Sequence, residues 1–396
     1  MTTAFPVLLG AYETPATADE TTATAHQTAD EPTATAHQTA HETTATAGEP
    51  IATAGEILGR CRELVRPALA ETVGRLHPWV GEMAAYSFGW CDVGGTPAEG
   101  AGGKGVRQAL AVLCAEAAGA SGEAAVAGAV AVELVHTFSL LHDDIMDGDQ
   151  TRRTRPTVWK AYGTGPAVLA GDALFALAVE ALAAVPGAGA TAAVRRLSVA
   201  LGDLVRGQAD DLLFESRPWT GATAVGPEEY RRMAEHKTGA LLGCAAALGA
   251  ALAGAPESTA TALDRAGRHM GVAFQVADDL LGIWGDPAVT GKPVHRDLRQ
   301  RKKTFPVLAA LSARGPGASA AGQLATLLEE SPDTPDDATT HRAADLIEQA
   351  GGRSAALAEA DRHIAAVERC LEGLPLAPRA SAELRTLLGF LARRDI

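Results

Sequence analysis

Glu123–Asp147 reads EAAVAGAVAVELVHTFSLLHDDIMD. Apolar residues recur there at three- and four-residue steps, which predicts a helix over 123–142 with little polar surface. The run ends in acids. Asp143 and Asp147 are four apart, so a helix sets both on one face, one turn apart. The pattern returns at Gly271–Trp284, GVAFQVADDLLGIW, where Asp278 and Asp279 interrupt a second apolar run. Acids on such helices are costly unless something cationic offsets them. Carboxylates one turn apart can share hard divalent cations through oxygen ligands.

Outward from these two stretches the helical period continues. It covers 57–75, 105–119, 167–184, 190–214, 228–253, 258–283, 338–350, 354–371 and 380–394. Gly/Pro clusters punctuate the runs, as at Val93–Gly103 and Gly285–Pro293. No strand alternation of useful length is present. The expectation is an all-α domain over 57–396. Residues 1–56 differ. TATAHQ begins at Thr22 and Thr33, and TATAGE at Thr44, an 11-residue repeat. An 11-residue period can mark a right-handed coiled coil, but this repeat has no large apolar residue to form a seam. Its composition predicts a disordered low-complexity tail, with His26, His37 and His41 solvated by-products of the repeat.

Over 396 residues, 34 Lys plus Arg against 48 Asp plus Glu give a net charge of −14. That balance argues against a nucleic-acid binder, which needs a basic face. Hydrophobic residues are 47% of the chain and aromatic ones 4%, so the core is expected to be closely packed helices rich in small residues. Cys61, Cys91, Cys114, Cys244 and Cys370 are scattered without a CxxC pair, which reads as reduced thiols in a cytoplasmic protein. No Lys or Arg precedes the apolar FPVLLG near the N-terminus, unlike a secretory signal. The nearly uncharged run Thr238–Pro256 is too short and too rich in Gly and Ala for a membrane span and reads as a buried helix.

Basic residues gather near the acids. Arg152 and Arg153 follow Asp147. Lys292 lies in a Gly/Pro loop after Asp279, with Asp297, Lys302 and Lys303 beyond it. Lys237–Thr238 opens the Gly/Ala helix. Lys104 and Arg107 follow Gly102–Gly103 at a helix start, where backbone N–H groups also favour anions. Each alone reads as a solvated surface charge. Together, carboxylates, Mg²⁺ and a basic rim make a site for a diphosphate, because Mg²⁺ is held by a few carboxylates plus phosphate oxygens.

From about Glu56 to Ile396 the chain resembles the trans (E)-isoprenyl diphosphate synthases of the polyprenyl synthetase family. The motifs that carry this are GGKGVR (Gly102–Arg107), HTFSLLHDDIMDGDQTRRTRPTVW (His136–Trp159), GDALFALA (Gly171–Ala178), GQADDL (Gly207–Leu212), HKTGAL (His236–Leu241) and FQVADDLLGIWGDPAVTGKPVHRDLRQRKKTFP (Phe274–Pro306), in order. The resemblance implies an isoprenoid-synthase-type helical bundle around a deep central cavity, as a homodimer. It implies three Mg²⁺ held by Asp143, Asp147 and Asp278, with Asp144, Asp279 and Asp297 in supporting positions. Arg152, Lys237, Thr238, Gln275, Lys292 and Lys302 would then grip an allylic diphosphate. Lys104, Arg107, His136 and Arg153 would bind that of isopentenyl diphosphate.

Chain length in this family is set just before the first acid motif. Phe138 lies five residues before Asp143, about 7–8 Å deeper along the helix. With Ser139 above it and no insertion in the motif, the pattern is closest to C20 geranylgeranyl diphosphate synthases, with a C15 farnesyl synthase as the alternative. Three departures from the family pattern involve four positions: Gly282 in place of a final Asp, Gly105 with Gln108 in place of Arg and Pro, and Thr154 in place of Gly. They leave open a catalytically silent partner subunit of a heteromeric synthase. A class I terpene cyclase would not need Lys104, Arg107 and Arg153. The tail is an expected tether for another protein.

Overall fold

Thr53 starts the first helix. Its Oγ1 accepts from Glu56 N–H at 3.3 Å, and its own N–H donates to Glu56 Oε2 at 2.8 Å, a reciprocal capping box. Helix α1 therefore spans Ala54–Gly74, beginning before the expected Ile57. The computed structural model describes residues 51–98, 102–187, 189–287, 293–332 and 334–392. The repeat segment read as a disordered tail, and Lys292, lie outside the described residues.

Helices α2 (Pro78–Ser87), α3 (Val106–Ala117), α4 (Val126–Met146), α5 (Val158–Tyr162), α6 (Thr164–Ala183) and α7 (Gly189–Ser216) follow. Next come α8 (Pro227–Ala234), α9 (Ala240–Leu252) and α10 (Glu257–Trp284). The chain continues through α11 (Arg296–Arg299), α12 (Phe305–Leu311), α13 (Ala318–Glu330), α14 (Asp337–Gln349), α15 (Gly352–Leu371) and α16 (Pro378–Ala392). Among the described residues the one sheet is an antiparallel hairpin, β1 (Thr151–Arg152) with β2 (Arg155–Pro156). The all-α expectation holds.

The centre is built from small residues. Ala109–Ala115 of α3, Ala129–Val135 of α4 and Ala240–Ala250 of α9 are buried throughout. Without large side chains between them, such helices approach closely and lose water from both faces. Within the run Thr238–Pro256, which composition marks as a buried helix, α9 is buried over Ala240–Ala250, and the chain leaves the helix after Leu252. Helices α4 and α6 have the length and apolarity of a membrane span by composition. Here they pack against each other, and α4 is part of the main hydrophobic core. The 28-residue α10, about 42 Å long, joins three clusters. Leu263 and Met270 belong to the main core, Val276 and Leu280 to a second cluster with Phe305, and Ile283 to a third with Leu298.

Two helical readings need correction. The helix expected over 123–142 runs on to Met146, so Asp143 lies inside its last turn and Asp147 caps it. The continuous helix expected over 228–253 is interrupted by a π turn at Glu235–Gly239.

One ion cluster ties the outer helices together. The buried Glu359 of α15 accepts from Arg231 Nε at 2.8 Å and Arg231 Nη2 at 3.0 Å, and also from Arg362. His363 Nε2 lies 3.1 Å away. Burial alone would raise the Glu359 pKa, but hydrogen bonds from His363 and Arg231 more than offset it and bring it down to about 2. A depressed carboxylate pKa stabilises the fold above its unfolded value of 4.5, and that contribution disappears as pH falls towards 2. We expect Glu359→Gln to cost about 3 kcal/mol at pH 7. Denaturant melts at stepped pH should show the gap to wild type closing between pH 5 and pH 2.

Candidate active site

A helix C-terminus carries partial negative charge from its unpaired carbonyls. Asp143 and Asp147 add to it at the end of α4. Burial, above all, raises the Asp143 pKa to about 6, with Lys237 acting against the rise and Asp147 adding to it. Lys237 is the nearest compensation. Its Nζ lies 2.5 Å from Asp211 Oδ2 and also feels Asp143 and Asp147. Burial works against the ammonium, yet these carboxylates outweigh it and the Lys237 pKa is raised. Lys302 Nζ stands 3.7 Å from Asp147 Oδ2.

Lys237 is presented by the π turn Glu235–Gly239 between α8 and α9. Such a turn holds one more residue than a regular turn and re-aims the side chains on it. Behind it runs a polar chain. Thr238 Oγ1 donates to Gln275 Oε1 at 2.9 Å, and Gln275 Nε2 donates to Asp279 Oδ1 at 3.2 Å. Asp279 Oδ2 accepts from Tyr230 Oη and, at 2.8 Å, from Phe305 N–H. Burial raises the Asp279 pKa to about 7 against these hydrogen bonds, with Asp297 adding to the rise. Both Asp279 oxygens are therefore engaged by protein donors, as are Thr238 and Gln275 with one another. Asp278, next along the helix, is half-buried, and its charge reaches Arg107.

The second basic pair hangs from the hairpin. Thr151 pairs with Pro156 and Arg152 with Arg155, so Arg153 and Thr154 form a two-residue turn. Both have left-handed backbones, φ 51° and 65°, the signature of a type I′ turn. Arg152 reaches back to the buried Asp144, with Nε and Nη2 at 2.8 and 2.6 Å from Oδ1. Burial opposes the Arg152 charge, but the hydrogen bond to Asp144 outweighs it and the pKa is raised.

Beside the hairpin lies a narrow, open-sided cleft of about 80 Å³ lined by Gly103, Glu133, His136, Asp144, Arg152 and Arg153. Burial depresses the Arg107 pKa, while Glu133 and Asp278 support its charge. Arg107 Nε is sealed without a hydrogen-bond partner. Glu133 Oε1 accepts from Gln108 N–H at 3.1 Å, and burial raises its pKa. Burial first, then Arg107 and Arg153, push the His136 pKa far down, so the imidazole is neutral at pH 7. Lys104 is exposed, its Nζ 5.0 Å above the Phe390 ring of α16.

The two chain-length positions separate. Ser139 lies on the Asp143 face of α4, but Phe138 is about 140° round the helix from Asp143. Its ring meets Phe175 of α6 at 5.7 Å and His142 at 4.8 Å. The sequence reading assigned no role to Glu133, Asp211, Tyr230 or Phe175. Asp211 and Phe175 do sit inside quoted motifs, GQADDL and GDALFALA.

The donor set suits a hard divalent cation. Asp143, Asp147 and Asp278 offer only oxygens, and lysine ammoniums already sit against the first pair. Among the described residues no three acidic, His or Cys side chains converge into a cage. An ion here would complete its coordination with water and substrate oxygens, as Mg²⁺ commonly does.

Residues 97–346 match the Polyprenyl synthetase family. The chain belongs to that family. It is a prenyltransferase. It is 46% identical over 341 residues to a (2E,6E)-farnesyl diphosphate synthase of Mycobacterium tuberculosis, covering 86% of this chain and 93% of that one. It is 44% identical over 340 residues to a geranylgeranyl diphosphate synthase of the same organism, with the same coverage of 86% and 93%. A solved polyprenyl synthetase from Streptomyces coelicolor A3(2) superimposes with a TM-score of 0.79 at 48% identity, covering 85% of this chain and 98% of that one.

A β-branched residue in the left-handed region is strained by roughly 1 kcal/mol. Thr154→Gly should release that strain and raise Tm on the order of 2 °C. Differential scanning calorimetry would read it, and an unchanged or lower Tm would mean that the turn is relaxed with Thr154 in place.

Proposed function

We propose that this prenyltransferase condenses isopentenyl diphosphate with allylic diphosphates and that its main product is C20 geranylgeranyl diphosphate. One observation carries the reading. Two separate cationic groups serve the acid stretches: Lys237 and Lys302 stand against Asp143 and Asp147, while Arg107 and Arg153 gather around Glu133, Arg153 also near Asp144 and Arg107 near Asp278. Two such groups suit two diphosphate substrates.

In this reading Asp143, Asp147 and Asp278 hold Mg²⁺, three ions by the family resemblance. Asp144 supports them by fixing Arg152, and Asp279 by anchoring the polar chain behind Lys237. Asp297 lies close to the second acid pair. The bound metal supplies positive charge beside the leaving diphosphate. Arg152, Lys237 and Lys302 stabilise the same charge as the allylic C–O bond ionises, with Thr238 and Gln275 setting the π turn and Lys292 as a further expected contact. Apolar helix faces keep water from the allylic cation. Lys104, Arg107, Arg153 and neutral His136 hold the isopentenyl diphosphate so that its double bond faces that cation. The double bond attacks, and the departed diphosphate takes the proton that is lost.

The C20 assignment rests on Phe138, five residues before Asp143 and against the Phe175 ring of α6, with small Ser139 on the acid face. The resemblance at 46% identity to a farnesyl synthase supports C15 as the second reading. Exposed apolar residues on α6 and α7, Leu169, Phe175, Val199 and Val205, support a homodimer.

The test is a product assay with Mg²⁺, isopentenyl diphosphate and C5, C10 or C15 allylic diphosphate, the dephosphorylated products read by gas chromatography and mass spectrometry. C20 alcohol is expected, and chelation by EDTA should abolish it. A stop at C15 would reverse the length assignment, and no turnover with any primer would overturn chain elongation. Phe138→Ala should shift products beyond C20, and an unchanged product would remove Phe138 from the floor.

A further inference from the structure

Glu133 is buried one turn before His136 on α4, and the proposed reaction gives it no chemistry. It lines the cleft beside the hairpin on the helix face that also carries His136 and Asp144. Its Oε1 accepts at 3.1 Å from the N–H of Gln108. That N–H belongs to the first turn of α3, where backbone donors have no partner within the helix. A carboxylate there also meets the positive end of the helix.

Three arginines from three elements surround this carboxylate. Burial opposes the Glu133 charge, while Arg107 of α3, the Gln108 N–H, Arg153 of the hairpin and Arg62 of α1 favour it. In return, Glu133 is the carboxylate that most supports the charges of Arg107 and Arg153. The same group holds the loop before α3. Arg62 Nη2 donates to the carbonyls of Gly103 and Lys104 at 3.4 and 3.3 Å. The Arg153 guanidinium lies against Gly103, where a Cβ would stand 2.9 Å from Nη2. Guanidiniums gathered this closely repel one another unless an anion lies among them. A diphosphate supplies that anion only while it is bound.

We propose that Glu133 is a positioning residue of the isopentenyl diphosphate face, the resident anion that keeps Arg107 and Arg153 in place in the empty site, and that the Gln108 N–H fixes it there. This role rests on the prenyl transfer proposed above. Glu133 acts through the arginines and does not touch the diphosphate, since two anions in contact would repel. The family pattern has Pro at 108, and proline has no N–H to give. This chain therefore holds Glu133 by a donor that the pattern lacks.

The test is steady-state kinetics of the full chain with Mg²⁺, isopentenyl diphosphate and the allylic diphosphate being varied separately. Calorimetric binding of isopentenyl diphosphate without metal runs beside it. Glu133→Gln, nearly isosteric, should raise KM for isopentenyl diphosphate about tenfold or more, with KM for the allylic diphosphate within about twofold of wild type. The calorimetric Kd should rise by the same factor. Gln108→Pro is compatible with a first helical turn but removes the N–H. It should raise the same KM about threefold or more, while Gln108→Ala, which keeps the N–H, stays within about twofold. Circular dichroism and Tm identify variants that stay folded, and the Gln108 pair tests the role alone if Glu133→Gln does not fold.

Wild-type KM for isopentenyl diphosphate in folded Glu133→Gln would overturn the proposal. So would an equal rise for both substrates, which marks a general loosening. Equal KM in Gln108→Pro and Gln108→Ala would overturn the part given to the Gln108 N–H. Absence of prenyl transfer by the wild-type chain, with this binding pattern intact, would instead overturn the functional reading and leave the role of Glu133 standing.

Discussion

Carboxylates crowded at the C-terminal ends of two apolar helices are the constraint around which this chain is organised. The end of α4 already carries negative charge from its unpaired carbonyls, and Asp143, Asp144 and Asp147 add to it. Nothing in the apolar body of α4 or α10 can solvate those charges. Each acid is therefore met by a cation or donor sent from another element. The hairpin brings Arg152 to Asp144, and the π turn brings Lys237 towards Asp143 and Asp147. The loop after α11 brings Lys302 to Asp147. A fold assembled this way is pre-strained electrostatically in favour of added positive charge. In the proposed reaction the cationic rim, with the metal ions that these acids would hold, would act on the leaving diphosphate in a site set before substrate arrives.

Much of this was legible in the sequence because helical spacing is rigid. Four residues between Asp143 and Asp147 fix one face and one turn, and seven between His136 and Asp143 keep the imidazole on that face. What the pattern could not resolve was which neighbour each side chain meets. Asp278 and Asp279 are adjacent, yet one is half-buried with its charge felt at Arg107, and the other is held inside by Tyr230, Gln275 and Phe305. Phe138, expected below the acid face, is half-buried about 140° round α4 from Asp143, and its partner Phe175 comes from another helix. The π turn leaves the apolar period of 228–253 nearly intact, so it is invisible to periodicity. The first helix hides its start for another reason. Its capping sequence, Thr53-Ala54-Gly55-Glu56, has the composition of the repeat before it.

The positions at odds with the family pattern make physical sense in pairs. Gly105 has a left-handed φ of 70° at the N-cap of α3, and the Gln108 side chain lies over it where a Cβ would sit. Gly282 stands in the same relation to Asp297. In each case a small residue and a polar one exchange the same volume, so neither can be judged alone. Among the described residues Thr154 has no such partner, and its hydroxyl donates to the preceding Arg153 carbonyl at 2.6 Å.

The wide turn at Glu235–Gly239 also imposes a counting rule on the chain. A π turn stores one surplus residue in an otherwise regular helix. Removing any single residue between Tyr230 and Leu241 would let the helix heal into a uniform one, with ordinary hydrogen bonds and no loss of helical propensity. The flanks would keep their mutual phase, because the wide turn had absorbed the extra residue, but the side chains of the turn itself would be re-aimed. Tyr230, on the flank, would keep Asp279, while Lys237, carried by the turn, would lose the aim that sets it against Asp211. The segment tolerates exchange of letters far better than a change in their number, although a shorter version would make the better helix.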